Sequence, residues 1–114
     1  MENNSASLDL AFHALADPTR RAVIRRLIES PAPVAELAEP FAMGLPAFLK
    51  HIRVLEESGW IASEKKGRVR TCRMLPERLR ATEEWLTAQR KVWEGRTDRL
   101  ATYVETHLAT ENHP

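Results

Sequence analysis

Gly44-Leu45-Pro46-Ala47-Phe48-Leu49-Lys50-His51-Ile52-Arg53-Val54-Leu55-Glu56-Glu57-Ser58-Gly59 reads as one amphipathic helix, and Trp60 to Leu75 after it reads as a hairpin. Turning about 100° per residue brings Leu45, Phe48, Leu49, Ile52 and Leu55 within about 60° of a common direction. Pro46, Ala47, Lys50, Arg53, Val54 and Glu57 fall on the opposite side, and His51 lies on a flank. Gly44 is an acceptable N-cap, and Gly59 stops the helix. Two short extended segments then surround Lys65-Lys66-Gly67-Arg68, where Gly67 suits a turn that needs positive φ. A helix running straight into a hairpin with a cationic tip is the layout of a winged helix-turn-helix. The expected fold is mainly α, with five helices and a two-stranded wing. Helix and wing can engage a duplex together, one in the major groove and the other along the backbone or minor groove.

Upstream, residues 1–7 are polar and expected to be disordered. Leu8, Ala11, Phe12 and Leu15 fall at helical spacing, which predicts a first helix ending near Ala16. Asp17-Pro18 is a start signal, with Asp as N-cap and Pro in the first turn. The second helix turns Val23, Ile24, Leu27 and Ile28 inward and Arg20, Arg21, Arg25 and Arg26 mostly outward, until Ser30-Pro31-Ala32-Pro33 breaks it. A short third helix spans about Val34 to Glu39, and Pro40 cannot continue it. The brief linker Ala42-Met43-Gly44 makes the third and fourth helices a helix-turn-helix pair.

From Pro76 onward the pattern is helical again. Leu79, Leu86, Trp93, Leu100 and His107 recur every seventh residue, Trp85, Val92, Val104 and Leu108 widen the stripe, and Gly95 is placed to kink or divide it. So long an apolar helix is hard to bury within one small chain. A symmetric dimer, pairing this helix with its mate and with the first helix, solves the problem; folding back on its own core is the alternative. The interface candidates are Leu8, Phe12, Trp85, Leu86, Trp93, Leu100, Val104 and Leu108. The resulting layout is a leading segment 1–7, a DNA-binding core 8–75, and a dimerisation helix with tail 76–114.

Composition is ordinary for a globular chain of 114 residues, with 43% apolar and 29% charged residues and a net charge of +1. The distribution says more. Residues 44–80 carry nine Lys or Arg against four acids, a net of +5, whereas the flanking segments 1–43 and 81–114 each sum to −2. Positive charge is thus concentrated where a polyanion would be met. Lys66 and Arg68 flank the wing tip and Arg70 shares a face with Arg68, so these three are the wing candidates, expected to position rather than specify. No run approaches the length of a membrane span, and the N-terminus lacks the charged-then-apolar build of a secretory signal. The single Cys72 cannot form an internal disulfide. A cytoplasmic location is expected. No nucleophile with a spaced base, phosphate-cradling Gly loop or metal triad stands in the sequence, which argues against an enzyme.

Three blocks in order, Leu15-Ala16-Asp17-Pro18-Thr19-Arg20-Arg21, Leu37-Ala38-Glu39-Pro40-Phe41 and Leu45 to Gly59, closely resemble the ArsR family of bacterial winged-helix repressors over roughly residues 8–108. The resemblance implies a homodimeric transcriptional regulator on an imperfectly palindromic operator of double-stranded DNA. It implies that Pro46, Ala47, Lys50 and Arg53 inherit base or phosphate contacts, and that Arg68 and Arg70 lie on the backbone. His51 is divided between bonding a phosphate and holding the helix-turn-helix together. Departures are informative too. Gly44 and Leu49 stand where Ser is frequent in the family, and the third helix lacks the thiols of soft-metal sensors. Glu105, His107, Glu111 and His113 are the only plausible donors in the last helix, too few and too divergent for a zinc site. The chain therefore resembles the metal-independent branch; no metal or cofactor is expected, and the effector is open. Two alternatives stand beside this reading. One is an interaction module without operator binding that docks through Trp85 and Trp93. The other is a redox or metal sensor using the C-terminal histidines or Cys72, whose thiol Arg70 and Arg73 would make more acidic; the favoured reading of Cys72 is an inert small residue in a half-buried strand.

Overall fold

Asp17 begins the second helix in extended geometry (φ −121°, ψ 132°), its carboxylate accepting from the backbone N–H of Thr19 at 2.8 Å and of Arg20 at 3.1 Å. These bonds satisfy two of the orphan donors of a helix start, and Pro18 has none to lose. In the computed structural model, which describes residues 4–111 and the side chains of residues 7–108, the elements run in the order α1 (Asn4–Leu15), α2 (Pro18–Glu29), β1 (Ala32–Pro33), α3 (Val34–Ala38), α4 (Leu45–Glu57), β2 (Ile61–Lys66), β3 (Val69–Met74) and α5 (Pro76–Glu111).

Helix α4 ends in a Schellman turn. Trp60 N–H reaches Leu55 O at 3.0 Å and Gly59 N–H reaches Glu56 O at 3.1 Å, with Gly59 at φ +81°. A Cβ at Gly59 would sit 2.8 Å from the Arg78 guanidinium, the far end of a flexible side chain, so it is the positive φ that calls for Gly here. Leu55 and Trp60, on either side of this turn, are both buried in the core. Trp60 also donates its indole N–H to Ala11 O at 3.1 Å, tying the entrance of the wing to α1. Around it the core gathers Ala11 and Ala14 from α1, Val23, Ile24 and Leu27 from α2, Leu37 from α3, Phe48, Ile52 and Leu55 from α4, and Ile61 and Cys72 from the sheet. Phe41, just past α3, stacks on Phe48 of α4 with ring centroids 5.7 Å apart. That contact sets how the two helices of the helix-turn-helix meet.

Strands β2 and β3 form the hairpin, from Ile61↔Met74 to Lys66↔Val69. Gly67 alone in the two-residue turn has positive φ, at +61°, the signature of a type II′ turn. The sheet has a third strand that the sequence reading treated only as a helix break: β1 pairs antiparallel with β3 through Ala32↔Cys72 and Pro33↔Thr71, giving the order β1-β3-β2. Proline fits there because an edge strand can spare a donor.

Several boundaries differ from expectation. Helix α1 begins at Asn4, so residues 4–7, read as disordered, are helical, while residues 1–3 lie outside the described residues. Leu45 and Leu49, assigned to the core face of α4, are 55% and 37% exposed; only Phe48, Ile52 and Leu55 are buried, with Val54 half-buried from the other side. Gly95 does not divide α5, which continues for 36 residues. The chain separates into two compact units between Thr82 and Glu83, so the first turns of α5 belong with the core rather than with the long helix beyond. No helix among the described residues is long and apolar enough to cross a membrane.

Candidate nucleic-acid interface

With Phe48, Ile52 and Leu55 committed to the core, the rest of α4 is left for solvent. Pro46, Ala47, Lys50 and Arg53 are all exposed, as the helical wheel requires. Neither cation on this helix has an ion-pair partner among the described residues, so both charges are available to a ligand.

His51 on the flank is engaged. Arg20, only 9% exposed and read from sequence as outward, points into the junction of three helices. Its Nε donates to Ala14 O at 2.8 Å, one terminal nitrogen to His13 O at 3.0 Å, and the other lies 3.1 Å from His51 Nδ1. Guanidinium only donates, so Nδ1 accepts and the imidazole proton belongs on Nε2. Arg20 thereby caps the carbonyl end of α1 and orients the flank of α4 in one stroke, and Arg21 caps Leu15 O at 2.6 Å. Of the two roles read for His51, the internal one is occupied. Asp17 lies 3.8 Å from His51 Nδ1. Burial pushes the Asp17 carboxyl upward, but the backbone N–H groups of Arg20 and Thr19 and the Arg20 charge outweigh it and hold the group below its ordinary 3.8. Sequence reasoning missed Arg20, although a cation just after a helix end is a recognisable capping signal.

On the wing, Lys65, Lys66 and Arg68 are exposed. Arg70 is different. Its Nε donates to Ser63 Oγ at 2.9 Å and its guanidinium pairs with Glu56 of α4. Rather than a free backbone contact, Arg70 is a strap between wing and helix, its charge already matched. Strand register also separates the tip lysines. Directly opposed residues share a face, so Lys65, opposite Arg70, is on the side turned to α4, and Lys66, opposite Val69, is on the other. Lys65, Arg68, Arg70 and Ser63 line one groove with Val34, Ala35, Leu45 and Leu49. Lys65 was absent from the candidates; pairing parity would have found it, but register cannot be counted before the turn is fixed.

Cys72 is fully buried opposite Ser63. Burial, and then the nearby Glu56 charge, push its thiol up against the opposing pull of Arg70. This agrees with the inert reading of Cys72 and counts against the alternative of an acidified thiolate, because Glu56 pairs with Arg70, one of the two arginines invoked for it. His107 Nδ1 donates to Tyr103 O at 2.9 Å within its own helix. The Glu111 side chain and His113 lie outside the described side chains, and among the described residues no three His, Cys, Asp or Glu gather in a way that could hold a metal ion.

The interface candidates fall in both units. Leu8 and Phe12 are half-buried on α1. On the long helix beyond Thr82, Trp85, Leu86, Trp93, Leu100, Val104 and Leu108 are between 42% and 67% exposed. Leu86, Trp93, Leu100, Val104 and Leu108 form one exposed apolar stripe at helical spacing.

A family model described as a helix-turn-helix domain matches residues 15–64. The chain is 37% identical over 75 residues to the HTH-type transcriptional regulator Rv2034 of Mycobacterium tuberculosis, covering 66% of this chain and 70% of that protein. Among solved structures, one described as an ArsR family transcriptional regulator, RHA00566, is 54% identical with a TM-score of 0.78, covering 82% of this chain and 97% of that one. An ArsR-like transcriptional regulator from Rhodococcus sp. RHA1 is 28% identical with a TM-score of 0.74, over 86% of this chain and 92% of that one.

Proposed function

The chain belongs to the ArsR family of transcriptional regulators, and from that premise we propose that it is a cytoplasmic repressor that grips a palindromic operator as a homodimer. The observation that carries the reading is the set of exposed cations without an ion-pair partner among the described residues on two consecutive elements: Lys50 and Arg53 on the outward face of α4, Lys65, Lys66 and Arg68 on the wing. Each α4 would enter a major groove, Pro46 and Ala47 permitting close approach, with the two helices about one turn of duplex apart, roughly 34–36 Å. The wings would hold the flanking phosphates. The second protomer would cover the exposed stripe Leu86, Trp93, Leu100, Val104 and Leu108, together with Trp85 and the half-buried Leu8 and Phe12. No catalytic role is assigned.

Anisotropy titration on a duplex selected by the protein from a random pool, and on a scrambled duplex, tests this. Arg68→Ala should weaken both complexes alike, because phosphate contacts carry no sequence. Lys50→Ala or Arg53→Ala should weaken the selected duplex more than the scrambled one. Equal binding by Arg68→Ala and wild type removes the wing from the interface.

A further inference from the structure

The first five residues of α4, Leu45-Pro46-Ala47-Phe48-Leu49, contain no side-chain hydrogen-bonding group, and the first appears only at Lys50. Of the five, only Phe48 is buried. Leu45, at 55% exposed, and Leu49, at 37%, instead line a groove together with Val34, Ala35, Ser63, Lys65, Arg68 and the Glu56-paired Arg70. A groove lined by apolar side chains beside exposed cations suits an occupant that carries both anionic and apolar groups. A DNA strand meets that description, since its phosphates suit Lys65 and Arg68 and the thymine 5-methyl is the one apolar group on the major-groove base edges.

Resting on the DNA-binding reading above, we propose that Leu45, Pro46 and Leu49 read thymine methyl groups, so that each half-site carries thymines opposite the start of α4. A G·C pair there would bring its N7 and O6 acceptors and amino donor against leucine, stripping their water without replacing it. A thymine presents a methyl that gains from the same burial. Lys50 and Arg53, one turn further on, remain free for acceptors such as guanine or for phosphate. Specificity at the outer turn of the helix is thus apolar, and at the next turn polar.

Uracil substitution isolates the claim, because it deletes the methyl and leaves base pairing intact. In the duplex selected from the random pool, each thymine is replaced in turn by deoxyuridine, and dissociation constants are measured with the full chain. Burying one methyl corresponds to about fourfold in affinity, and the symmetric pair of substitutions to about sixteenfold. At most thymines the expected change is below twofold; at one or two per half-site it reaches these values. Leu49→Ala, Leu45→Ala and Pro46→Ala, all at exposed positions, are each expected to bind more weakly and to lose the response to uracil at one site. If every uracil duplex binds within twofold of its parent, or if the response persists in all three variants, the methyl reading is overturned while DNA binding stands. Absence of binding to any selected duplex at low ionic strength would overturn the operator reading itself.

Discussion

Arg20→Met is the substitution that most sharply probes how the reading helix is held. Methionine keeps much of the buried stem and removes every donor. Three acceptors now served by Arg20 lose it: Ala14 O at 2.8 Å, His13 O at 3.0 Å and His51 Nδ1 at 3.1 Å. His13 O keeps the N–H of Ala16 at 3.1 Å, so its loss is partial. Ala14 O is left buried without the cation that caps it, and charged hydrogen bonds of this kind contribute about 1.5–3 kcal/mol each. Counting one full loss and two partial ones gives about 3 kcal/mol, a large share of a typical stability of about 5–15 kcal/mol. For a domain of this size that corresponds to a fall in Tm of at least about 10 °C. Circular-dichroism melts at one fixed protomer concentration measure it, because association would otherwise shift the midpoint. Arg21→Met, whose bond to Leu15 O is exposed, serves as the control and should cost below about 1 kcal/mol. An Arg20→Met protein within about 0.5 kcal/mol of wild type, the range of neutral surface changes, would refute the three-helix clamp.

Two further outcomes follow from the charges. Glu56→Gln releases Arg70 from its pair, so salt titration of DNA affinity should steepen by about 0.9 per protomer in the log–log slope, while stability falls by about 1 kcal/mol for this partly buried surface pair; an unchanged slope places Arg70 beyond reach of the duplex. For Asp17 the folded-state pKa is depressed below 3.8, so its contribution is full above that value and is lost as pH falls through the lower folded-state pKa. Acid titration of unfolding free energy should therefore show a loss in wild type that is absent in Asp17→Asn, and parallel curves would contradict the capping role.

Much of this architecture was legible in the residues because local signals agreed. Asp17-Pro18, Pro40, Gly44, Gly59 and Gly67 punctuate the chain where the backbone turns, and the apolar spacing of Phe48, Ile52 and Leu55 orients α4 with no tertiary information. What escaped were features made by distant partners. β1 exists only because β3 offers Thr71 and Cys72 across about forty residues of chain, a pairing that local propensity never sees. Leu45 and Leu49 share the wheel direction of the core, yet the core ends before reaching them. Arg20 and Arg70 read as surface cations, and both are spent internally, one on helix carbonyls and one on Glu56. Charge density along a sequence locates a binding surface; which charges remain free is decided by the fold.

Hydroxyl-radical footprinting of the selected duplex tests most directly whether two reading helices and two wings grip one stretch of DNA. The expected pattern is two protected blocks on one face of the duplex, centred about one helical turn apart, with the flanking protections lost in Arg68→Ala. A single block, or uniform cleavage at low ionic strength with a folded protein, would contradict it.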